Sequence, residues 1–169
     1  TAWHAGHELA RVQCGERVLI HSASGGVGWF AMQFARALGA DIVATAGSDA
    51  KRHRLTAHGI REVYSSRDTG FSAAAPIDVV ISALPAAQRD ASLALLRPGG
   101  RFVEIGRIGI ATPQEIAAQR PDVAYHVVAL DNVEAQRFAE LLRATVAAVA
   151  ADRTLLPPVS KRGLGSASR

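Results

Sequence analysis

Residues 21–35 read HSASGGVGWFAMQFA, and this stretch decides the fold. It holds the spacing G-x-G-x-x-G, with Ala23 in the place of the first glycine. The apolar run RVLIHS at residues 17–22 precedes it and predicts a strand, and a helical pattern follows. In this strand–loop–helix context, Gly25 lets the backbone approach a pyrophosphate, and Gly28 lets the helix pack closely on the strand.

The start of that helix predicts an anion site, because its first backbone amides lack intrahelical partners and its dipole attracts phosphates. We therefore predict that a nucleotide binds along the loop, at Ala23, Ser24, Gly25, Gly26, Val27 and Gly28. The competing interpretation is a tight glycine-rich turn without a ligand, since the motif is weak outside its proper context.

Outward from the loop, short apolar runs alternate with helical stretches, which predicts a parallel sheet covered by helices on both faces. The predicted strands are residues 17–22, 41–46, 62–65, 77–84, 101–106 and 123–130. The predicted helices are residues 26–38, 49–58, 85–96, 113–119 and 132–151, the last capped by Asp131 or Asn132. This rhythm predicts a single α/β domain with a doubly wound, six-stranded parallel sheet in the order 3-2-1-4-5-6, the Rossmann fold.

The ends of the chain differ from this pattern. Residues 1–12 predict a lead-in helix that such a domain does not need, so we interpret it as a connection from an earlier domain. Residues 153–169 contain a Pro-Pro pair and then KRGLGSASR, which predicts an irregular tail after a domain of residues 1–152. The first residue is not Met, and we interpret the chain as an excised fragment or a processed protein.

The composition is that of a globular protein, with 49% hydrophobic and 20% charged residues. No apolar run approaches the roughly 18 residues of a membrane span, and the first residues do not resemble a secretory signal. The net charge of +4 is scattered and aromatic residues make up 5%, which argues against nucleic-acid binding. The single cysteine, Cys14, allows no internal disulfide and suits a reducing cytoplasm.

The end of the second predicted strand indicates which nucleotide is bound. NAD sites usually place a carboxylate there to hold the ribose, but residues 44–48 read ATAGS, and Lys51 and Arg52 follow Asp49. Cations and hydroxyls suit a 2′-phosphate, so NADPH is favoured over NADH. The predicted contacts are Thr45, Gly47, Ser48, Lys51 and Arg67. The competing interpretation of Lys51 and Arg52 is a solvated helix start.

Three other functions fit the residues less well. A methyltransferase also uses a run such as LRPGGRF at residues 96–102, but it too needs an acidic residue after the second strand. The six histidines lack cysteine or carboxylate partners at ligand spacing, so no metal site is predicted. Ser24 lies outside a G-x-S-x-G nucleophile motif, because no glycine stands two residues before it.

Several runs together resemble a known family. They are TAWHA at residues 1–5, GERVLIH at 15–21, GSDAKR at 47–52, SSR at 65–67, PGGRFVEIG at 98–106 and residues 120–131. The chain resembles the cofactor-binding subdomain of medium-chain dehydrogenase/reductases, and within them the enoyl reductase domains of modular polyketide synthases. The resemblance covers most of residues 1–158. It adds Ser82, Leu84 and Gly106 to the implied cofactor contacts.

The resemblance implies NADPH-dependent reduction of an enoyl thioester held on an acyl carrier protein. Hydride goes to the β-carbon, and an acid protonates the α-carbon. Asp131 occupies the position of the family's Asp, and Arg107 stands in place of its Lys. Arg107 holds its proton too tightly to act as a general acid near neutral pH, although it can stabilise an enolate. The competing role of Asp131 is a helix cap.

The family's substrate domain is built from sequence before TAWHA and after the last helix. The resemblance therefore implies that this chain binds the cofactor but is not competent alone. Two alternatives stay open: a free-standing quinone or enoyl reductase of the same superfamily, and a non-catalytic structural remnant. By analogy with relatives, the sixth strand could pair with that of a second copy to form a homodimer.

Overall fold

Six parallel strands form one sheet in the order β3-β2-β1-β4-β5-β6. The structure is a computed structural model and describes residues 1–74, 76–106 and 109–158. The strands are β1 (Arg17–Ile20), β2 (Asp41–Ala46), β3 (Glu62–Ser65), β4 (Ile77–Ser82), β5 (Leu96–Glu104) and β6 (Ala124–Val127). The predicted fold class and strand order are confirmed.

Helices connect the strands and cover both faces of the sheet. They are α1 (Gly26–Ala37), α2 (Asp49–Ala57), α3 (Ala86–Leu95), α4 (Pro113–Gln119) and α5 (Ala135–Ala151). Side chains alternate between the faces of a strand, so continuous apolar runs are buried on both sides. On one face, Val18 packs in a cluster with Met32 of α1. On the other, Leu19 packs in a cluster with Leu93 of α3 and Ile116 of α4.

Among the bounds that differ from the prediction, those of β5, β4 and β1 differ for local reasons. Strand β5 begins at Leu96 instead of residue 101, because the run Pro98-Gly99-Gly100 forms an irregularity inside the strand where its register with β4 shifts. Strand β4 ends at Ser82, whose hydroxyl accepts a hydrogen bond from the Leu84 amide and turns the chain. Strand β1 ends at Ile20, two residues before Ser22 adopts a left-handed conformation with φ of 52°.

The predicted cap of the last helix is wrong. Residues Leu130–Asn132 form a separate 3-10 turn, and α5 begins only at Ala135, with Glu134 at its N-cap position. The observed sixth strand is also shorter than predicted, since β6 spans Ala124–Val127 and the prediction was residues 123–130. Asp131 therefore lies in the connection between β6 and α5 and does not cap the helix.

Both ends of the described chain pack against α1. Within the predicted lead-in helix of residues 1–12, His4–Leu9 form a π-helical turn, and the centroid of the Trp3 ring lies 5.0 Å from that of Phe34. At the other end, Arg153–Leu155 form a 3-10 turn, and the indole of Trp29 donates a hydrogen bond to the Leu156 carbonyl. Residues 159–169 of the predicted tail lie outside the described residues.

Candidate functional site

A cleft of about 260 Å³ opens at the carboxyl ends of β1 and β4, where the strand order reverses. The two strands run side by side, with Ile20 opposite Ile81. Residues 25–28 of the glycine loop form one wall, and Ser82 and Ile105 belong to the other. In open α/β sheets this reversal point is where ligands bind, so the loop predicted from sequence lies at the expected position.

Gly28 has no room for a side chain. A Cβ atom there would lie 2.6 Å from the Ser22 carbonyl oxygen and 2.7 Å from the Cα atom of Ala23. Because real Cβ atoms do not approach so closely, only glycine lets α1 sit directly against the loop that follows β1. This geometry gives Gly28 the packing role that the sequence predicts.

The start of α1 presents amides to open surface. Gly25 is the N-cap residue in an extended conformation, and the first helical hydrogen bond runs from the Trp29 amide to the Gly25 carbonyl over 2.7 Å. The amides of Gly26, Val27 and Gly28 precede it and have no partner within the helix. Val27 is 40% exposed, so this positive end of the helix is accessible to an anion.

The loop is held from beneath by Thr45 of β2. Its hydroxyl accepts a hydrogen bond from the Ser22 amide at 3.2 Å, and its carbonyl accepts one from the Ala23 amide at 2.9 Å. Thr45 and Ala23 are completely buried, whereas Ser24 is partly exposed and Gly25 is exposed. Thr45 and Ala23 therefore shape the predicted site from below, and the later loop residues form its surface.

A second group of predicted residues meets at the carboxyl ends of β2 and β3. A Cβ atom on Gly47 would lie 3.5 Å from the Ser66 hydroxyl and 3.7 Å from Nε of Arg67, so these side chains lie over Gly47. Ser48 is the N-cap residue of α2 and makes no side-chain cap hydrogen bond, and Lys51 is exposed in the first turn. The sequence prediction omitted Ser66, although its place directly after β3 could have indicated it.

Two carboxylates close to this group, those of Asp49 and Asp68, already have hydrogen-bond partners. Arg52 forms an ion pair with Asp49 and donates a second hydrogen bond to the Ala46 carbonyl at 3.2 Å. Asp68, on the loop after Arg67, accepts a hydrogen bond from the Gly70 amide, and this bond lowers the pKa of the carboxyl. Arg52 thus points back toward β2, whereas Lys51 is exposed and the Arg67 side chain lies beside Gly47.

The remaining implied contacts lie around the end of β4. Ser82 is almost completely buried, and its carbonyl accepts a hydrogen bond from the Ile105 amide at 2.7 Å. Leu84 and Gly106 follow β4 and β5 respectively and lie just beyond the lining of the cleft. A Cβ atom on Gly106 would lie 3.3 Å from a carboxylate oxygen of Glu104, so a side chain at this position would press against Glu104.

Of the two implied catalytic residues, the structure describes only Asp131. Asp131 is exposed in the 3-10 turn between β6 and α5. Arg107 lies outside the described residues, so its geometry relative to Asp131 stays a prediction.

Two buried titratable groups, His21 and Glu104, and the partly buried Tyr125 were missed by the sequence prediction. Burial lowers the pKa of His21 to about 4 and raises the pKa of Glu104. Burial, followed by the negative charge of Glu104, raises the pKa of Tyr125 to about 12. His21 and Glu104 each interrupt an apolar strand run, RVLIHS and RFVEIG, and a polar residue inside such a run could have singled them out.

The described ranges lack two further kinds of feature. Within residues 1–74, 76–106 and 109–158, no three His, Cys, Asp or Glu side chains cluster in a way that could hold a metal ion. In that part of the chain no helix combines the length and the apolar character that crossing a bilayer requires.

A family model described as zinc-binding dehydrogenase matches residues 26–144. Polyketide synthase GfsB of Streptomyces halstedii is 45% identical over 160 residues, which are 93% of this chain and 3% of that protein. Spectinabilin polyketide synthase system protein NorB of Streptomyces orinoci is 42% identical over 168 residues, 96% of this chain and 8% of that protein. The chain therefore spans a small part of the length of these relatives.

Solved structures give the same result at the level of the fold. The CurK enoyl reductase matches with a TM-score of 0.85 and 36% identity, over 95% of this chain and 51% of that one. The nucleotide-binding subdomain of the enoylreductase domain of PpsC from Mycobacterium tuberculosis matches with a TM-score of 0.80 and 37% identity, over 94% of both chains. This chain thus corresponds to about half of the first structure and to nearly all of the second.

Proposed function

Because the chain belongs to the zinc-binding dehydrogenase family, in the branch formed by polyketide synthase enoyl reductases, we propose that it is the NADPH-binding subdomain of such a reductase. The observation that carries the proposal is the start of α1 at the strand reversal point, where Gly28 permits close packing and the amides of Gly26 and Val27 face open surface. Backbone amides at a helix start are suited to a pyrophosphate.

The edge formed by Gly47, Ser48 and Arg67 supports NADPH over NADH. A ribose 2′-hydroxyl is normally held by a carboxylate, whereas here Asp49 is paired with Arg52. A 2′-phosphate would instead meet the Arg67 guanidinium, the hydroxyls of Ser48 and Ser66, and Lys51 at the start of α2. The family name implies zinc in some members, but the described residues do not offer a zinc site.

The bound cofactor would supply a hydride to the β-carbon of an enoyl thioester carried on an acyl carrier protein. This chain's residues would hold the pyrophosphate, select the 2′-phosphate and form one wall of the cleft. Asp131 would orient or deliver the proton to the α-carbon, and Arg107 would stabilise the enolate without giving up its own proton. A separate substrate domain would form the opposite wall, and this chain corresponds to only 51% of the CurK enoyl reductase.

Titration of the chain with NADPH and with NADH tests this proposal. We expect NADPH to bind more tightly, and the variants Arg67→Ala and Lys51→Ala to weaken NADPH alone, because charge-assisted contacts contribute about 1.5–3 kcal/mol each. Arg61→Ala is the matched control, since Arg61 directly precedes β3 and therefore lies at the amino end of that strand, opposite to Arg67. Equal losses for both nucleotides, or no binding of either, would contradict the proposal.

A further inference from the structure

A chain of hydrogen bonds runs through the protein directly behind the glycine loop. His21, only 3% exposed, follows β1 and connects two elements that lie on either side of it. Its Nδ1 atom is 3.0 Å from the Thr45 hydroxyl on β2, and its Nε2 atom is 2.8 Å from the Ser92 hydroxyl on α3. The Phe71 ring packs against the imidazole in a T-shaped arrangement, with a centroid distance of 4.9 Å.

The further hydrogen bonds of Ser92 and Thr45 fix the direction of each hydrogen bond to His21. The Ser92 hydroxyl donates to the Gln88 carbonyl at 2.6 Å, so its oxygen accepts from Nε2–H of His21. A neutral imidazole with its proton on Nε2 has an acceptor at Nδ1, which takes the proton of the Thr45 hydroxyl. The lowered pKa of His21 agrees with this neutral form.

With its proton directed at His21, the Thr45 oxygen is free to accept the Ser22 amide. Ser22 needs such support, because its φ of 52° is in the left-handed region that non-glycine residues rarely adopt. Its carbonyl accepts a hydrogen bond from the Gly25 amide at 2.9 Å and lies against Gly28. The position of Ser22 therefore sets the path of the whole glycine loop.

We propose that His21 is a positioning residue for nucleotide binding: it orients the Thr45 hydroxyl, which holds Ser22 in its left-handed conformation and fixes the loop around the pyrophosphate. This inference rests on the proposed function, since it assigns His21 to the same site. His21 belongs to the lining of the cleft, and the effect proposed here is transmitted through the Thr45 hydroxyl. A histidine that only fills the core would affect the stability of the fold but not the loop in particular.

Two substitutions of His21 separate these roles. His21→Asn keeps an oxygen near the Nδ1 position that can accept the Thr45 hydroxyl, and it loses the group facing Ser92. His21→Gln keeps a nitrogen near the Nε2 position that can donate to Ser92, and it loses the acceptor for Thr45. Thr45→Val and Ser92→Ala remove the two partners themselves. All four variants are expected to lower Tm, because each disturbs a buried hydrogen bond.

Two measurements on the four variants decide the matter. Hydrogen exchange without nucleotide should speed up at the Ser22 amide in His21→Gln and Thr45→Val, and stay near its original rate in His21→Asn and Ser92→Ala. NADPH affinity should fall about tenfold in His21→Gln and Thr45→Val, as expected for one lost hydrogen bond that supports the loop. It should change less than about twofold in His21→Asn and Ser92→Ala.

Unchanged exchange at Ser22 in His21→Gln, or affinity that follows Tm across all four variants, would overturn the positioning role. If the unaltered chain binds neither nucleotide, the proposed function fails, and the exchange measurement alone still decides whether His21 holds the loop.

Discussion

At the residue scale, the glycines of the loop are not equivalent. A Cβ atom on Gly28 would meet backbone atoms at 2.6 and 2.7 Å, whereas one on Gly26 would meet nothing within 4 Å. Gly28→Ala is expected to lower the free energy of unfolding by about 1–3 kcal/mol, because the helix must move away from the loop. Gly26→Ala, the matched control, should stay within about 0.5 kcal/mol. Denaturant unfolding measures both, and equal effects would mean that the loop adapts freely.

Residues differ in how far the sequence alone could place them. Gly25 and Gly28 were predictable because the motif specifies their backbone roles locally, between an adjacent strand and helix. The hydrogen-bond partners of His21 were not predictable, since Thr45 and Ser92 are distant in sequence and are brought together only by the parallel sheet and its covering helix.

At the scale of elements, the order of strands followed from the sequence, but several bounds did not. Continuous apolar runs predict buried parallel strands whatever their exact ends, so the order 3-2-1-4-5-6 was recoverable. The start of β5 could not be recovered in the same way. Pro98-Gly99-Gly100 is typical of a connection between elements, but in the structure it forms an irregularity inside the strand. The start of α5 was missed because a 3-10 turn takes up the two residues predicted to cap it.

The 3-10 turn Arg153–Leu155 shows how a segment without periodicity can still belong to the fold. Leu155 is 4% exposed, and the adjacent Leu156 is 44% exposed, which gives a matched pair of leucines. Leu155→Ala is expected to lower the free energy of unfolding by about 2–3 kcal/mol, because it leaves a cavity beside α1. Leu156→Ala should cost less than about 1 kcal/mol. If thermal and denaturant unfolding give the same cost for both, the turn does not contribute to the core.

At the scale of the whole molecule, stability should depend on pH through His21. Burial lowers its pKa from 6.5 to about 4, so the unfolded chain takes up the proton first as pH falls. The contribution of neutral His21 to the free energy of unfolding is therefore complete above pH 6.5. It is lost progressively toward pH 4, by up to about 3 kcal/mol.

His21→Asn should flatten this part of the pH profile in denaturant unfolding. Glu104, whose pKa is raised, titrates in both proteins and cancels in the comparison. An identical slope in the original chain and in His21→Asn would show that the acid sensitivity lies elsewhere.

The activity of the chain is the last property that belongs to the whole molecule. We expect the 169-residue chain to bind NADPH and yet to show no steady reduction of a crotonyl thioester. The reason is that one wall of the cleft cannot hold the thioester over the nicotinamide, and positioning of reactants contributes roughly 7–11 kcal/mol to such reactions. Asp131 is exposed, so the chain alone also does not exclude water from the position of the proposed proton donor. Loss of the absorbance of the reduced nicotinamide measures turnover, with Asp131→Asn and Arg107→Lys as the comparison variants. Steady turnover by the chain alone that disappears in Asp131→Asn and survives in Arg107→Lys would contradict this expectation and show that a second wall of the cleft is dispensable.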